Sequence, residues 1–226
     1  MKKPTVDYSG FRLSRLKDPR FSHLLLLLSW VGYFLLYLLT ENLIPPQRCH
    51  PMHCVIDDLI PFCEIFLLAY VGWYALVAGS LLHYLLYDAE SFKKLQTFII
   101  VTQVIAMATY ILYPSRQDLR PEFFQRDNIL TRIMGFIYSF DTNTGVCPSL
   151  HVAYSLGIAS VCYKDKAASP LKKILITAAV ILISLSTMFV KQHSAVDVFA
   201  ALLLGLVAEL IVYGKYWRQR LFGRRA

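Results

Sequence analysis

The chain has 226 residues, of which 56% are hydrophobic and 17% are charged, and its net charge is +8. The hydrophobic residues form long runs rather than short periodic stripes, which excludes an ordinary water-soluble domain and predicts an integral membrane protein. No internal repeat or change of composition divides the sequence, so we expect a single domain over residues 1–226.

Six apolar segments approach or exceed the roughly 20 residues needed to cross a bilayer. In chain order they are residues 24–43, 62–87, 95–113, 147–163, 171–190 and 195–213. The first ends in Thr40-Glu41-Asn42 without a small-residue cleavage site, so we expect a retained helix rather than a signal peptide. The sequence therefore predicts an all-α membrane protein with six transmembrane helices.

The orientation follows from the distribution of Lys and Arg. Seventeen of these residues lie in segments on the side of the N-terminus, and six lie on the opposite side. Since cytoplasmic segments accumulate cations, both termini are predicted to be cytoplasmic, with the plasma membrane as the expected location. The charge excess then faces anionic lipid headgroups, and no nucleic-acid partner is expected.

Four of the six outward cations lie in the longest connection, residues 114–146: Arg116, Arg120, Arg126 and Arg132. Long ordered connections are more often functional than not. Residues 128–140 within it alternate apolar and polar side chains at a helix-like spacing, which predicts a short helix lying on the membrane surface.

Two histidines follow at what is predicted to be the same outer end of their helices. His193 and Asp197 are four residues apart, so they share one helical face, and the carboxylate can accept the proton of one ring nitrogen. The other nitrogen is then oriented as a nucleophile. His151 has Ser155 rather than an acid one turn further on, so it is free to act as a general acid. These three residues predict a phosphoryl-transfer site at the outer membrane face.

Phosphoryl transfer also requires positive charge and hydrogen-bond donors around the phosphate oxygens. We expect Arg120, Ser149 and Lys191 to supply them, together with backbone N–H groups where the helix after Ser149 begins.

Three segments resemble the motifs of the type 2 phosphatidic acid phosphatase superfamily. Pro148-Ser149-Leu150-His151 resembles PSxH, residues 186–197 resemble SRxxxxxHxxxD except at the second position, and Arg120-Pro121 resembles the end of KxxxxxxRP. The resemblance covers the chain from about Tyr113 to Asp197. It implies a six-helix fold and metal-independent, cofactor-free hydrolysis or transfer of lipid phosphate through a phosphohistidine. His193 would be the nucleophile, Asp197 its partner and His151 the general acid, with Arg120 and Ser149 as phosphate ligands.

The sequence departs from the family pattern at two cationic positions, where Tyr113 and Thr187 replace Lys and Arg. Lys191 and Arg116 are the residues expected to compensate. Altered first and third motifs also occur in the branch of inositol phosphorylceramide and sphingomyelin synthases, which transfer a phospho-headgroup to an alcohol. The leading hypothesis is a phosphatase for a phosphatidate-like or isoprenyl phosphate. The alternatives are such a transferase, or a non-catalytic lipid-phosphate transporter or binding protein.

Cysteine and histidine are dense in Cys49-His50-Pro51-Met52-His53-Cys54. Adjacent ligands fit tetrahedral zinc poorly, so no metal is expected. In an oxidising outer compartment we expect a disulfide instead, which would join Cys49 to Cys54 or one of these two to Cys147.

Three acidic residues, Asp57, Asp58 and Glu64, stand at the outer entrance of the second span. We expect them to solvate a helix start and to favour its dipole, with contact to a lipid headgroup as the alternative.

Overall fold

A computed structural model describes residues 6–222 of the chain. This part of the chain is helical apart from short connections and two parallel two-residue strands, β1 (His50–Pro51) and β2 (Ser115–Arg116). The α-helices are α1 (Leu28–Leu43), α2 (Val55–Leu59), α3 (Leu67–Tyr87), α4 (Ala89–Leu112), α5 (Ile129–Phe140), α6 (Leu150–Lys164), α7 (Pro170–Phe189) and α8 (Ala195–Phe222).

Within residues 6–222, five helical segments are long and apolar enough to cross a membrane. They are Ser22–Leu43, Glu64–Tyr87, Ala89–Leu112, Pro170–Phe189 and Ala195–Leu221. Large hydrophobic side chains on these helices are exposed, among them Leu35, Leu68, Leu182 and Leu203, as expected where lipid replaces water. The helices therefore indicate an integral membrane protein.

The predicted fourth span is also a helix, but it is shorter than a span requires. At 15 residues, α6 is about 22 Å long, against about 30 Å of hydrocarbon. It lies at the centre of the bundle, packed against α4, α7 and α8, and Val152, Ala153 and Tyr154 are almost fully buried. The count of six spans remains a prediction.

Glycine allows α6 to approach α4 closely. A Cβ atom at Gly157 would lie 2.7 Å from Cδ1 of Phe98. The Phe98 side chain is itself buried, so a larger residue at position 157 would have to displace packed atoms.

A charged cluster joins the far end of α6 to α8. Lys164 and the hydroxyl of Ser160 both donate hydrogen bonds to the carboxylate of Glu209, which also accepts one from the indole of Trp217. The Lys164 ammonium lies 4.0 Å from the ring centroid of Tyr213. Because each charge is paired and mostly shielded from solvent, the cluster fastens α6 to α8 at the end opposite His151.

The predicted surface helix is present as α5. The Asn128 side chain accepts hydrogen bonds from the amides of Leu130 and Thr131, which explains why the helix begins there. One face packs on the bundle through the fully buried Met134. The opposite face exposes Ile129, Ile133, Phe136 and Phe140.

All five cysteines are free thiols in the structure, so the expected disulfide is not formed. Cys49 is buried beside the carbonyl of Pro45, and Cys147 is held in the loop before α6. Residues 6–222 contain no group of three or more His, Cys, Asp or Glu side chains arranged to hold a metal ion.

Candidate active site

The His193–Asp197 pair lies where α8 begins. Nδ1 of His193 is 3.2 Å from Oδ2 of Asp197, and the same oxygen accepts a hydrogen bond of 2.9 Å from the backbone amide of Ser194. An ionised carboxylate can only accept, so beside it Nδ1 is the nitrogen that carries the proton, and in a neutral imidazole Nε2 then keeps its lone pair. Asp197 is fully buried and His193 is 8% exposed. The pair therefore has the geometry of an oriented nucleophile.

A tight turn between α7 and α8 presents His193. The carbonyl oxygen of Thr187 accepts hydrogen bonds from the amides of both Gln192 and His193, each at 3.0 Å. Lys191 adopts a left-handed backbone conformation with φ of 52°. Thr187 stands where the family motif has Arg, and its fully buried hydroxyl donates to the carbonyl of Ser184. Thr187 therefore stabilises the turn through its carbonyl oxygen and offers no positive charge to the site.

His151 faces His193 from the first turn of α6, with 5.8 Å between the ring centroids. Two aromatic rings of α3 enclose it: Tyr70 stacks at 4.5 Å and Trp73 lies at 4.2 Å. Nε2 of His151 is buried and has no hydrogen-bond partner among the described residues. The imidazole is therefore fixed in position while one of its nitrogens is available for proton exchange.

Ser149 connects the two histidine-bearing helices. Its backbone amide donates to the carbonyl of Asp197 at 3.1 Å. Its side chain is fully buried, and the hydroxyl has no hydrogen-bond partner within residues 6–222. A buried hydroxyl without a partner costs about 1–3 kcal/mol, so this group is suited to donate to an incoming phosphate oxygen.

Arg120 reaches the same region from the loop before α5. One terminal nitrogen donates to the carbonyls of Tyr138 and Asp141, and the other donates to the carbonyl of Thr142 and to Oε1 of Gln192, the latter at 2.6 Å. Its Nε is buried and has no such partner in the described part of the chain. Burial lowers the pKa of Arg120, and the nearby Asp141 carboxylate opposes that shift. The guanidinium is thus a fixed positive charge with one donor left for a ligand.

The sequence-based prediction did not include two residues that lie beside Arg120. The side-chain amide of Gln192 accepts a hydrogen bond from Arg120 through Oε1. Its Nε2 donates to Oδ2 of Asp141 at 3.3 Å. Burial raises the pKa of Asp141, while the Arg120 charge opposes the rise. The only sequence signal for Gln192 was its position next to His193, and Asp141 carried none beyond its place at the end of α5.

Lys191 and Arg116, the residues expected to compensate for Tyr113 and Thr187, have other partners. The Lys191 ammonium donates to the carbonyls of Asp57 and Ile60. Arg116 pairs with Asp118 at 2.9 Å and donates to the carbonyls of Pro46 and Cys49. These contacts hold both side chains against loops of the polypeptide, and their role as phosphate ligands stays a prediction. Tyr113 stacks on His50, with 4.2 Å between the ring centroids.

Comparisons with known proteins assign no family to the chain. No protein-family model matches the sequence, and no curated protein matches it significantly. The crystal structure of LpxE from Aquifex aeolicus is similar to the chain with 20% sequence identity and a TM-score of 0.49, over 80% of this chain and 94% of that one. That similarity is too weak to carry a functional assignment.

Proposed function

We propose that the chain is a membrane phosphatase for lipid phosphate monoesters that acts through a phosphohistidine on His193. The observation that carries the proposal is the buried His193–Asp197 pair facing the imidazole of His151, with the unpartnered Ser149 hydroxyl beside them. A nucleophile oriented by a carboxylate, opposite a second imidazole able to move a proton, is an arrangement suited to a two-step displacement.

In the first step, Nε2 of His193 attacks the phosphorus and forms a P–N bond while the bond from phosphorus to the lipid oxygen breaks. The negative charge of the bound phosphate favours the protonated form of the buried His151, which gives its proton to the leaving lipid alkoxide. Asp197 stabilises the positive charge that develops on the His193 ring through the Nδ1 hydrogen bond. The Arg120 charge and the Ser149 hydroxyl stabilise the phosphate oxygens.

In the second step, neutral His151 takes a proton from water as the water oxygen attacks phosphorus. The P–N bond breaks, its electron pair returns to Nε2 of His193, and inorganic phosphate leaves. Both imidazoles then have their starting protonation states, so no metal or cofactor is needed to balance the reaction.

The setting of the site favours a lipid as substrate. His151 and His193 lie at one end of the bundle of apolar helices, at the start of α6 and of α8. The neighbouring helix α5 exposes an apolar face of Ile129, Ile133 and Phe136 at this same end. A phosphate headgroup could reach His193 while the acyl or isoprenyl chains stay in the bilayer.

A test is to incubate the purified protein with radiolabelled phosphatidate or isoprenyl phosphate in excess chelator. We expect release of inorganic phosphate and, after rapid acid-free quenching, an alkali-stable and acid-labile phosphoprotein. His193→Ala should abolish the phosphoprotein and lower turnover by roughly 10⁴-fold or more, as removal of a nucleophile does in triad hydrolases.

His53→Ala is the matched control, because this half-exposed histidine pairs with Asp58 outside the site. It should keep full turnover. Undiminished turnover in His193→Ala would contradict the mechanism. Label recovered in an added alcohol acceptor would indicate a transferase, and binding without turnover would indicate a lipid-phosphate binding protein.

A further inference from the structure

Asp57 is the most buried of the three acidic residues at the outer entrance of the second span. It lies in the five-residue helix α2 and is only 3% exposed. Its carboxylate accepts three hydrogen bonds: from the amide of Cys54 at 2.8 Å, from the hydroxyl of Ser194 at 2.6 Å and from the amide of Ala195 at 2.8 Å. Two of the three donors belong to the start of α8. Asp57 therefore caps its own helix through Cys54, as expected, and also caps the helix that carries Asp197.

A short chain of hydrogen bonds leads from Asp57 to the nucleophile. Ser194 donates its hydroxyl to Asp57 and its backbone amide to Oδ2 of Asp197 at 2.9 Å. That same oxygen lies 3.2 Å from Nδ1 of His193. The position of Ser194, and with it the position of the Asp197 carboxylate, thus depends on an oxygen of Asp57.

A second contact between the same segments runs in the opposite direction. Lys191, two residues before His193, donates its ammonium to the carbonyls of Asp57 and Ile60. Asp57 and Lys191 are both buried, so each holds the other's segment in the absence of competing water. The strained φ of Lys191 is maintained by this contact and by the hydrogen bond from its amide to Met188.

We infer that Asp57 is a positioning residue for the catalytic pair: through Ser194 it fixes the Asp197 carboxylate, and thereby the orientation of His193. This inference rests on the proposed phosphatase function. It assigns to α2 the role of a clamp on the loop between α7 and α8.

The electrostatics fit this role. Although burial opposes ionisation, the hydrogen bonds from Ser194, Ala195 and Cys54 lower the pKa of Asp57, so it is a carboxylate at neutral pH. A negative charge against the first amides of α8 is favoured by the helix dipole. Replacement by Asn would keep one acceptor oxygen. It would place an NH₂ donor opposite the amide of Cys54 and the hydroxyl of Ser194, which now donate to the second oxygen of Asp57.

The test compares Asp57→Asn with Asp58→Asn in the full-length protein. Asp58 is the adjacent acid, but its side chain is 63% exposed and pairs with His53. We expect Asp57→Asn to lower kcat by about 10- to 100-fold, as a small misplacement of reacting groups does, with KM within about twofold of wild type. Asp58→Asn should match the wild type. The rates are normalised to folded protein, since a purely structural role would lower Tm and leave kcat of the folded fraction unchanged, which would overturn the inference.

A double-mutant cycle with Ser194→Ala tests the route. If Asp57 acts through Ser194, the double variant should lose no more of kcat than the more impaired single variant. If the double variant instead lost kcat by the product of the two single-variant factors, Asp57 would not act through Ser194. Ser194→Ala also serves if Asp57→Asn proves too unstable to purify, because it breaks the same chain while leaving the Asp57 charge in place.

A spectroscopic measurement separates this inference from the proposed function. In protein labelled with ¹⁵N-histidine, the Nδ1 proton of His193 is identified by its absence in His193→Ala. Asp57→Asn and Ser194→Ala should shift this resonance and Asp58→Asn should not, whether or not the wild type hydrolyses lipid phosphates. A wild type without turnover but with this response would overturn the phosphatase and keep the positioning role. An unmoved resonance would overturn the positioning role.

Discussion

The two histidines of the site differ in their surroundings. His193 has a buried carboxylate on one ring nitrogen, whereas His151 packs against the rings of Tyr70 and Trp73 and has no acidic partner among residues 6–222. The sequence could predict the contact between His193 and Asp197 because the two residues are only four positions apart, but the expected shared helical face is wrong, since His193 lies in the turn before α8. It could not predict the hydrogen bond between Arg120 and Gln192, which are 72 residues apart and meet only through tertiary packing.

Arg120→Lys should lower kcat/KM by about 100-fold, comparable to the loss of one oxyanion donor. The guanidinium binds three carbonyls and Gln192 at once and lies 4.6 Å from the Tyr138 ring centroid, and a single ammonium cannot reproduce this planar set of contacts. Steady-state kinetics on a lipid phosphate provide the measurement. Arg126→Lys is the control, since Arg126 is 77% exposed and pairs with Glu64. Equal activity of both variants would refute a special role for Arg120.

At the scale of elements, hydropathy located every long helix but misplaced several ends. The segment predicted from residue 147 begins as α6 only at Leu150, because residues 147–149 form the turn whose amide reaches Asp197. The segment predicted from residue 95 begins at Ala89, because Asp88 caps that helix by accepting from the amide of Ser91. Apolar windows do not detect caps or charged first turns, so boundaries set by them are displaced. The α5 boundary was close because its Asn128 cap lies in the sequence pattern itself.

Gly157→Ala should destabilise the packing of α4 against α6 by about 1–3 kcal/mol, the usual cost of overpacking a close contact. The new methyl group would meet the ring of Phe98, which is 1% exposed and packed in a buried hydrophobic cluster. Thermal unfolding in detergent or lipid is the measurement. Gly79→Ala offers a matched control within α3, where no heavy atom lies within 4 Å of the added Cβ. A Tm that falls equally in the two variants would argue against the proposed contact.

For the whole molecule, the sequence predicted a helical bundle with its functional residues at one end, and the structure brings His151, His193 and Arg120 together there. The side of the membrane that this end faces still depends on the distribution of Lys and Arg. The number of crossings depends on α6, the short central helix.

Epitope tags should establish the orientation. A tag inserted at the exposed Glu122, in the loop before α5, should be labelled in intact cells, whereas a C-terminal tag should be labelled only after permeabilisation. The physical reason is the excess of Lys and Arg near both termini. Labelling of both tags in intact cells would mean an even number of crossings after residue 122, against the three predicted, and the reverse pattern would place the site in the cytoplasm.

The short length of α6 has a consequence for the membrane around it. The hydrogen bond from Ser149 to Asp197 sets α6 and α8 level at the end of the bundle that holds the candidate site, yet α6 has 15 residues and α8 has 28. At 1.5 Å per residue, α6 ends about 8 Å short of the hydrocarbon thickness, so Lys164 stands inside the depth that α8 continues to traverse. The Lys164 ammonium is stabilised there by the carboxylate of Glu209 and by the rings of Tyr213 and Trp217. Helix α6 therefore ends well before α8 does, and the shortest path from the candidate site to the opposite end of the bundle runs along α6.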